Sequence, residues 1–184
     1  KKRLLVSLLD KSGVAFFMQT NQGKTTLLIS VLIDLIHSFS KSLLSPTLIV
    51  SAPKDEGADF QKLKSIYKRV EIYDTSTNEG LRQFIERFKE AMEAMKDTRN
   101  YATKKMGSFN HDSKIPERYL CSPFFIVLDE VFQTIKTKNV SQERRALALE
   151  LQGLIDIAMR QWRTKLSKVF ILSQDPSVSE MEGI

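Results

Sequence analysis

Short apolar runs alternate along this chain with segments whose apolar positions recur every three or four residues. Val14-Ala15-Phe16-Phe17-Met18 is the first run, ending in polar residues and a glycine, a pattern that suits a buried parallel strand. From Thr25 to about Ser40, Leu28, Leu32, Leu35, Ile36 and Phe39 fall at helical spacing. Thr47 to Ala52 predicts a second strand closed by Pro53. Asp59 to Arg69 predicts a helix, and Val70 to Tyr73 a brief third strand. Ser76 and Glu79 have the spacing of a capping box, opening a helix with Leu81, Phe84, Ile85, Phe88, Met92 and Met95 on one face.

The periodicity vanishes from Arg99 to Pro123. That stretch is basic and polar, punctuated by Gly107, Asn110, Asp112, Pro116 and Pro123, and predicts a long surface loop over residues 99–123. Phe124 to Leu128 is the strongest buried strand. A helix follows from about Ser141 to Arg163, with Leu147, Leu151, Leu154, Ala158 and Trp162 on one face, and Lys168 to Ser173 forms a last strand. Such alternation predicts a single α/β domain over residues 1–184, with a mostly parallel central sheet flanked by helices.

Composition narrows the function only a little. At 184 residues, 42% of them hydrophobic and 27% charged, the chain is long enough to bury one core. Cys121 is its single cysteine, so an internal disulfide is excluded and a reducing cytoplasm is the expected setting. No apolar run reaches the roughly 18–20 residues that span a bilayer. Lys1-Lys2-Arg3 before Leu4-Leu5-Val6 has the opening of a signal peptide, but Asp10 and Lys11 cut the apolar stretch short. The net charge of +6 permits a polyanionic partner without requiring one.

Candidate chemistry sits at the ends of the predicted strands. Gly23-Lys24-Thr25-Thr26 lies between the first strand and the first helix, where unpaired backbone N–H groups and the helix dipole favour an anion. Lys24 there would reach the terminal phosphates of a nucleotide, and the Thr25 hydroxyl would hold Mg²⁺. The candidate nucleotide-binding set is Thr20, Asn21, Gln22, Gly23, Lys24, Thr25 and Thr26. The pattern is glycine-poor. Met18 stands where the full phosphate-loop motif has glycine, and Asn21 tolerates left-handed backbone better than most residues.

About a hundred residues later the Phe124–Leu128 strand ends in Asp129-Glu130. Two carboxylates driven out at the carboxyl edge of an α/β sheet suit a metal ligand, Asp129, beside a general base, Glu130, for the attacking water. A strand that ends in solvated acids is the bland alternative. Ser173-Gln174 closes the last strand in the same way, and Gln174 is the candidate γ-phosphate sensor, with a routine surface glutamine as its alternative.

Together these blocks resemble the motor domain of the FtsK/SpoIIIE and HerA family of P-loop DNA translocases, conjugative coupling ATPases included. Ala52-Pro53-Lys54-Asp55-Glu56-Gly57 with Asp59-Phe60 is similar to the family's "DPKG…F" segment. Leu172-Ser173-Gln174-Asp175-Pro176-Ser177 is similar to its "ATQRPS" segment. Arg163 falls where that family often has an arginine, shortly before the last strand. The resemblance spans nearly the whole chain and implies a RecA-like P-loop NTPase fold of the ASCE type. It also implies ATP and Mg²⁺, with Glu130 as base, Gln174 as sensor, and Thr25 with Asp129 at the metal. A homo-hexameric ring threading double-stranded DNA follows from it, with ATP bound between subunits. Two departures stand out: Asp175 replaces the family's arginine, and the phosphate loop lacks glycines.

On that resemblance the chain is expected to be a cytoplasmic motor core cut from a longer protein. Membrane or relaxosome partners would then be met through regions outside it. Arg144, Arg145, Arg160 and Arg163 are the candidates for a finger reaching a neighbour's nucleotide, with Arg163 preferred by its register. Solvated helix arginines are the alternative for each. The basic stretch Arg99 to Lys114 reads as mobile surface in preference to a DNA contact. Two rivals to DNA pumping remain open: a protein-secretion ATPase of the same superfamily, and a nucleotide-binding scaffold with little or no turnover.

Overall fold

The structure is a computed structural model that describes residues 11–17, 23–53 and 57–173. Among these, β1 (Gly13–Phe17), β2 (Thr47–Ala52), β3 (Val70–Asp74), β4 (Phe124–Leu128) and β5 (Lys168–Ser173) form one sheet. The strand order is β1-β5-β4-β2-β3 and every pairing is parallel. Between the strands run α1 (Lys24–Ser38), α2 (Ala58–Ile66), α3 (Asn78–Met106), the one-turn α4 (Val131–Thr134) and α5 (Gln142–Gln161).

The strands are apolar on both sides because helices cover both sides. Leu48 and Val50 of β2, Phe125 and Val127 of β4, and Phe170 and Leu172 of β5 meet Leu28, Leu32 and Leu35 of α1 and Phe60 and Leu63 of α2. The intervening residues Ile49, Ile126, Leu128 and Val169 point the other way. They meet Leu81, Phe84, Ile85 and Phe88 of α3 with Leu147 and Leu151 of α5. Trp162, just past α5, packs edge-on against Phe88 at 5.7 Å, the packing role its spacing implies.

Three sequence expectations change. The first strand is parallel but only half-buried, because among the described residues it is an outer strand with β5 on one side. The cap of α3 is Thr77, whose hydroxyl accepts from the Gly80 N–H at 3.0 Å, in place of a Ser76–Glu79 box. Ser76 instead donates through its N–H and hydroxyl to Asp74, and Glu79 pairs with Arg82. The third change is larger. Arg99 to Met106, expected in a surface loop, continue α3 for a total of 29 residues, about 43 Å at the α-helical rise.

The periodicity fades there because the last turns bury little beyond Ala102, but the backbone runs on until Gly107, whose φ of 91° ends the helix. The remaining connection folds through 3₁₀ turns at Asp112–Lys114 and Glu117–Tyr119. It is anchored as well. Ile115 and Asp112 are buried, Arg99 donates to the Asp112 carboxylate and the Phe109 carbonyl, and Lys165 Nζ lies 3.7 Å from Asp112. Arg99 is therefore turned inward. Burial there pushes the Lys165 ammonium down and the nearby Cys121 thiol up from their ordinary values.

Two measurements test this packing. Glycine to alanine inside a helix ordinarily gains about 0.5–1 kcal/mol. Gly153→Ala should do so in urea denaturation, since a Cβ there meets nothing within 4 Å. Gly80→Ala should lower the urea midpoint, because its Cβ would sit 1.9 Å from the Asp74 carbonyl oxygen. The raised Cys121 value keeps the thiol protonated where a free cysteine is already partly thiolate. Iodoacetamide should therefore label Cys121 more slowly than a cysteine-containing peptide at pH 8, with the rate still climbing at higher pH.

Candidate active site

In a parallel sheet every strand points its carboxyl end to the same edge, so the loops that follow β1 and β4 are neighbours however distant in sequence. The chain leaves β2 outward to β3, then returns to β4 and β5, which lie between β2 and β1. β5 thus separates the strand before Gly-Lys-Thr from the strand before Asp-Glu. The residues that begin α1 and those that follow β4 converge over it.

Gly23 turns into α1 with φ 75°, a left-handed conformation that glycine adopts without penalty. Lys24 is the first helical residue, and its ammonium folds back over the sheet edge to Glu130 Oε1 at 2.5 Å, across 106 residues of sequence. Both residues are nearly enclosed, at 8% and 7% exposure. Thr25 is half-buried and Thr26 exposed on the same opening turn, where the helical N–H groups have no intrahelical acceptor.

Asp129 is fastened to the sheet by its own N–H, which donates to the Ser51 carbonyl at 3.0 Å. Its Oδ1 is shielded from solvent. Glu130 then adopts φ 45°, ψ 51°. A left-handed glutamate is uncommon and costs roughly 1–2 kcal/mol. The turn that demands it starts α4, in which the Glu130 carbonyl accepts from the Gln133 N–H at 2.9 Å. Phe132 of α4 stacks on Phe17 at the end of β1, with ring centroids 6.3 Å apart, and ties the acidic turn to the strand that leads toward the phosphate loop.

Of the residues singled out from sequence, the structure brings Gly23, Lys24, Thr25, Asp129 and Glu130 to one edge. Thr20, Asn21, Gln22 and Gln174 lie outside the described residues, as do Met18 and Asp175. Arg163 is not part of this group. It is exposed in the 3₁₀ turn Trp162–Thr164 before β5, on the amino edge of the sheet, opposite Lys24 and Glu130. Arg144 is held inside its own chain, donating to the carbonyls of Thr75 at 2.7 Å and Thr77 at 3.2 Å.

The donors available to a metal are a helix-start hydroxyl, Thr25, and a strand-end carboxylate, Asp129. These oxygen ligands suit a hard ion that keeps water and takes phosphate oxygens, as Mg²⁺ does. Among the described residues no group of three or more His, Cys, Asp or Glu side chains is placed to hold a metal by itself. Sequence reasoning missed the Lys24–Glu130 contact and the buried hydroxyls behind Asp129, those of Ser51, Thr75 and Thr134. Ser51, a polar residue one position before the end of the buried strand β2, is the one sign the sequence offers.

The pair makes a checkable claim on stability. Removing one partner of a buried ion pair costs on the order of 3–5 kcal/mol, whereas removing both charges recovers much of it. Lys24→Met should lower the free energy of unfolding by an amount in that range, and Lys24→Met with Glu130→Gln should lower it less. Additive effects in the double-mutant cycle would show that the two groups are not coupled.

No family model matches this sequence, and neither does any curated protein. Among solved structures the chain is similar to the pCW3 conjugation coupling protein TcpA, in a monomer form with ATPγS. The TM-score is 0.61 at 17% identity, over 95% of this chain and 46% of that one, so the chain spans less than half of TcpA's length. Sheet order and this likeness together give the fold: a RecA-like α/β core with a parallel sheet flanked by helices, in which β5 is inserted between the strand before Gly-Lys-Thr and the strand before Asp-Glu.

Proposed function

We propose that this chain is the ATPase core of a DNA translocase of the FtsK/HerA type. The observation that carries the reading is the meeting at one sheet edge of Lys24 and Glu130, 106 residues apart in sequence. A phosphate-binding lysine and a carboxylate following a strand-end aspartate are the pieces phosphoryl transfer to water requires. The likeness to a coupling protein solved with ATPγS supports nucleotide binding. Among the described residues no helix is long and apolar enough to cross a membrane.

The residues divide the reaction as follows. The N–H groups opening α1 receive phosphate oxygens, and Lys24 exchanges the Glu130 carboxylate for the terminal phosphate. Glu130, released from that contact, orients a water and takes its proton as the water oxygen bonds to the γ-phosphorus. The bond from the γ-phosphorus to the bridging oxygen breaks and ADP leaves with that oxygen. Thr25 and Asp129 would hold Mg²⁺, which would supply charge neutralisation at the phosphates. Gln174 senses the γ-phosphate. Arg163, on the far edge, can reach only a nucleotide bound by another copy, which fits a ring, proposed as a homo-hexamer around double-stranded DNA.

Steady-state ATP hydrolysis with and without duplex DNA tests the reading, beside a Glu130→Gln control. The expected result is DNA-stimulated turnover that the substitution slows by on the order of 10²–10⁴-fold, with stimulation falling steeply as salt rises. Turnover indifferent to DNA would favour a protein-secretion ATPase. Nucleotide binding with negligible turnover in the unsubstituted protein would make this chain a scaffold with a glycine-poor phosphate loop.

A further inference from the structure

Glu130 occupies a backbone conformation that its residue type disfavours, so something must hold it there. The one-turn helix α4 is too short to hold itself, since a single turn fixes many dihedrals for very few hydrogen bonds. Its last carbonyls point to α5. Arg144 Nη2 lies 3.5 Å from the Thr134 oxygen, and Gln152 Nε2 donates to the Ile135 oxygen at 3.2 Å. The same guanidinium donates to the Thr75 and Thr77 carbonyls in the turn between β3 and α3.

Beneath it three fully buried hydroxyls stand in line. Ser51 Oγ and Thr75 Oγ1 are 2.8 Å apart, and Thr75 Oγ1 and Thr134 Oγ1 are 3.5 Å apart. Ser51 is the residue whose carbonyl accepts the Asp129 N–H. The acidic turn is thus gripped at its start through Ser51 and at its end through Arg144.

We propose that Arg144 is a positioning residue for Glu130, holding α4 against the β3–α3 turn and so fixing the left-handed backbone that aims the carboxylate at Lys24. Its bonds run to backbone carbonyls, so its own contribution is geometric: a planar fork of five donors can gather several acceptors, which a lysine ammonium on a flexible stem does not match. Burial pushes the guanidinium down from its ordinary value, opposed by nearby Asp74. The half-buried guanidinium is engaged with carbonyls of its own chain.

The part of the proposal that concerns turnover rests on the ATPase reading. The part that concerns α4 does not. Arg144→Met in the nucleotide-free protein should raise amide hydrogen exchange at Gln133 and Ile135 by about tenfold or more while the amides of β2 and β4 keep their protection. In steady-state assays the same variant should lose on the order of 10–100-fold in kcat with KM for ATP within about twofold, the pattern of a misplaced catalytic group.

Should Arg144→Met not fold, Arg144→Lys keeps the charge without the fork and should move both readings in the same direction by less. Unchanged exchange at α4 overturns the proposal, whether kcat is unchanged or falls, and a fall with unchanged exchange points instead to a finger acting on another copy. A raised KM with intact kcat also overturns it. If the unsubstituted protein hydrolyses nothing, the ATPase reading fails and the exchange measurement still decides whether Arg144 holds the turn.

Discussion

The contact between Lys24 and Glu130 is the constraint around which the carboxyl edge is organised. Two charges removed from water to within 2.5 Å of one another attract strongly, but each has lost hydration that the attraction must offset. Such a pair survives where the surrounding frame already fixes both partners. Lys24 is fixed by the first turn of α1, whose Leu28, Leu32 and Leu35 are locked against the sheet. Glu130 is fixed by β4, whose five residues are all buried. The apolar core thus determines the geometry, and the ion pair registers that two elements about a hundred residues apart have docked correctly.

That frame also explains where strain is tolerated. A left-handed glutamate at φ 45° follows directly after a completely buried strand, and the chain must turn there from the sheet into α4. Glycine would relieve the conformation and remove the carboxylate. The protein keeps the acid and anchors the turn around it: Asp129 bonds to β2, Phe132 stacks on Phe17, and side chains of α5 meet the last carbonyls of α4. Strain at one residue is held by ordinary contacts at several others, as it is where backbone geometry serves a site.

Much of the fold was legible in the sequence because the central strands are buried on both faces. Thr47–Ala52, Phe124–Leu128 and Lys168–Ser173 read as strands and have those bounds. Legibility failed where burial is thin. The last two turns of α3 bury little but Ala102, so their helical period is faint even though nothing breaks the helix before Gly107. At the site, Lys24, Thr25, Asp129 and Glu130 could be named from residue type and spacing. The direct pairing of Lys24 with Glu130 could not, since it depends on β5 being threaded between two strands far apart in the chain. The polar support behind them was hidden for another reason: Ser51, Thr75 and Thr134 are common residues in unremarkable positions, and only burial makes them matter.

Strand polarity settles a further point about the arginines. Every strand of the sheet is parallel, so residues that precede a strand and residues that follow one are on opposite edges. Arg163 precedes β5, whereas Lys24 follows β1 and Glu130 follows β4. Side-chain motion cannot close that gap, because a strand of six residues spans roughly 17–20 Å and an arginine reaches less than half as far. Within one chain, then, the lysine and the general-base candidate are complete as a pair and the preferred finger arginine is excluded from them. Arg144 is occupied with the carbonyls of Thr75 and Thr77. Arg163 can therefore meet a phosphate at Lys24 only from a second copy of the chain, so a finger at that position makes subunit contact a geometric condition on the motor reading.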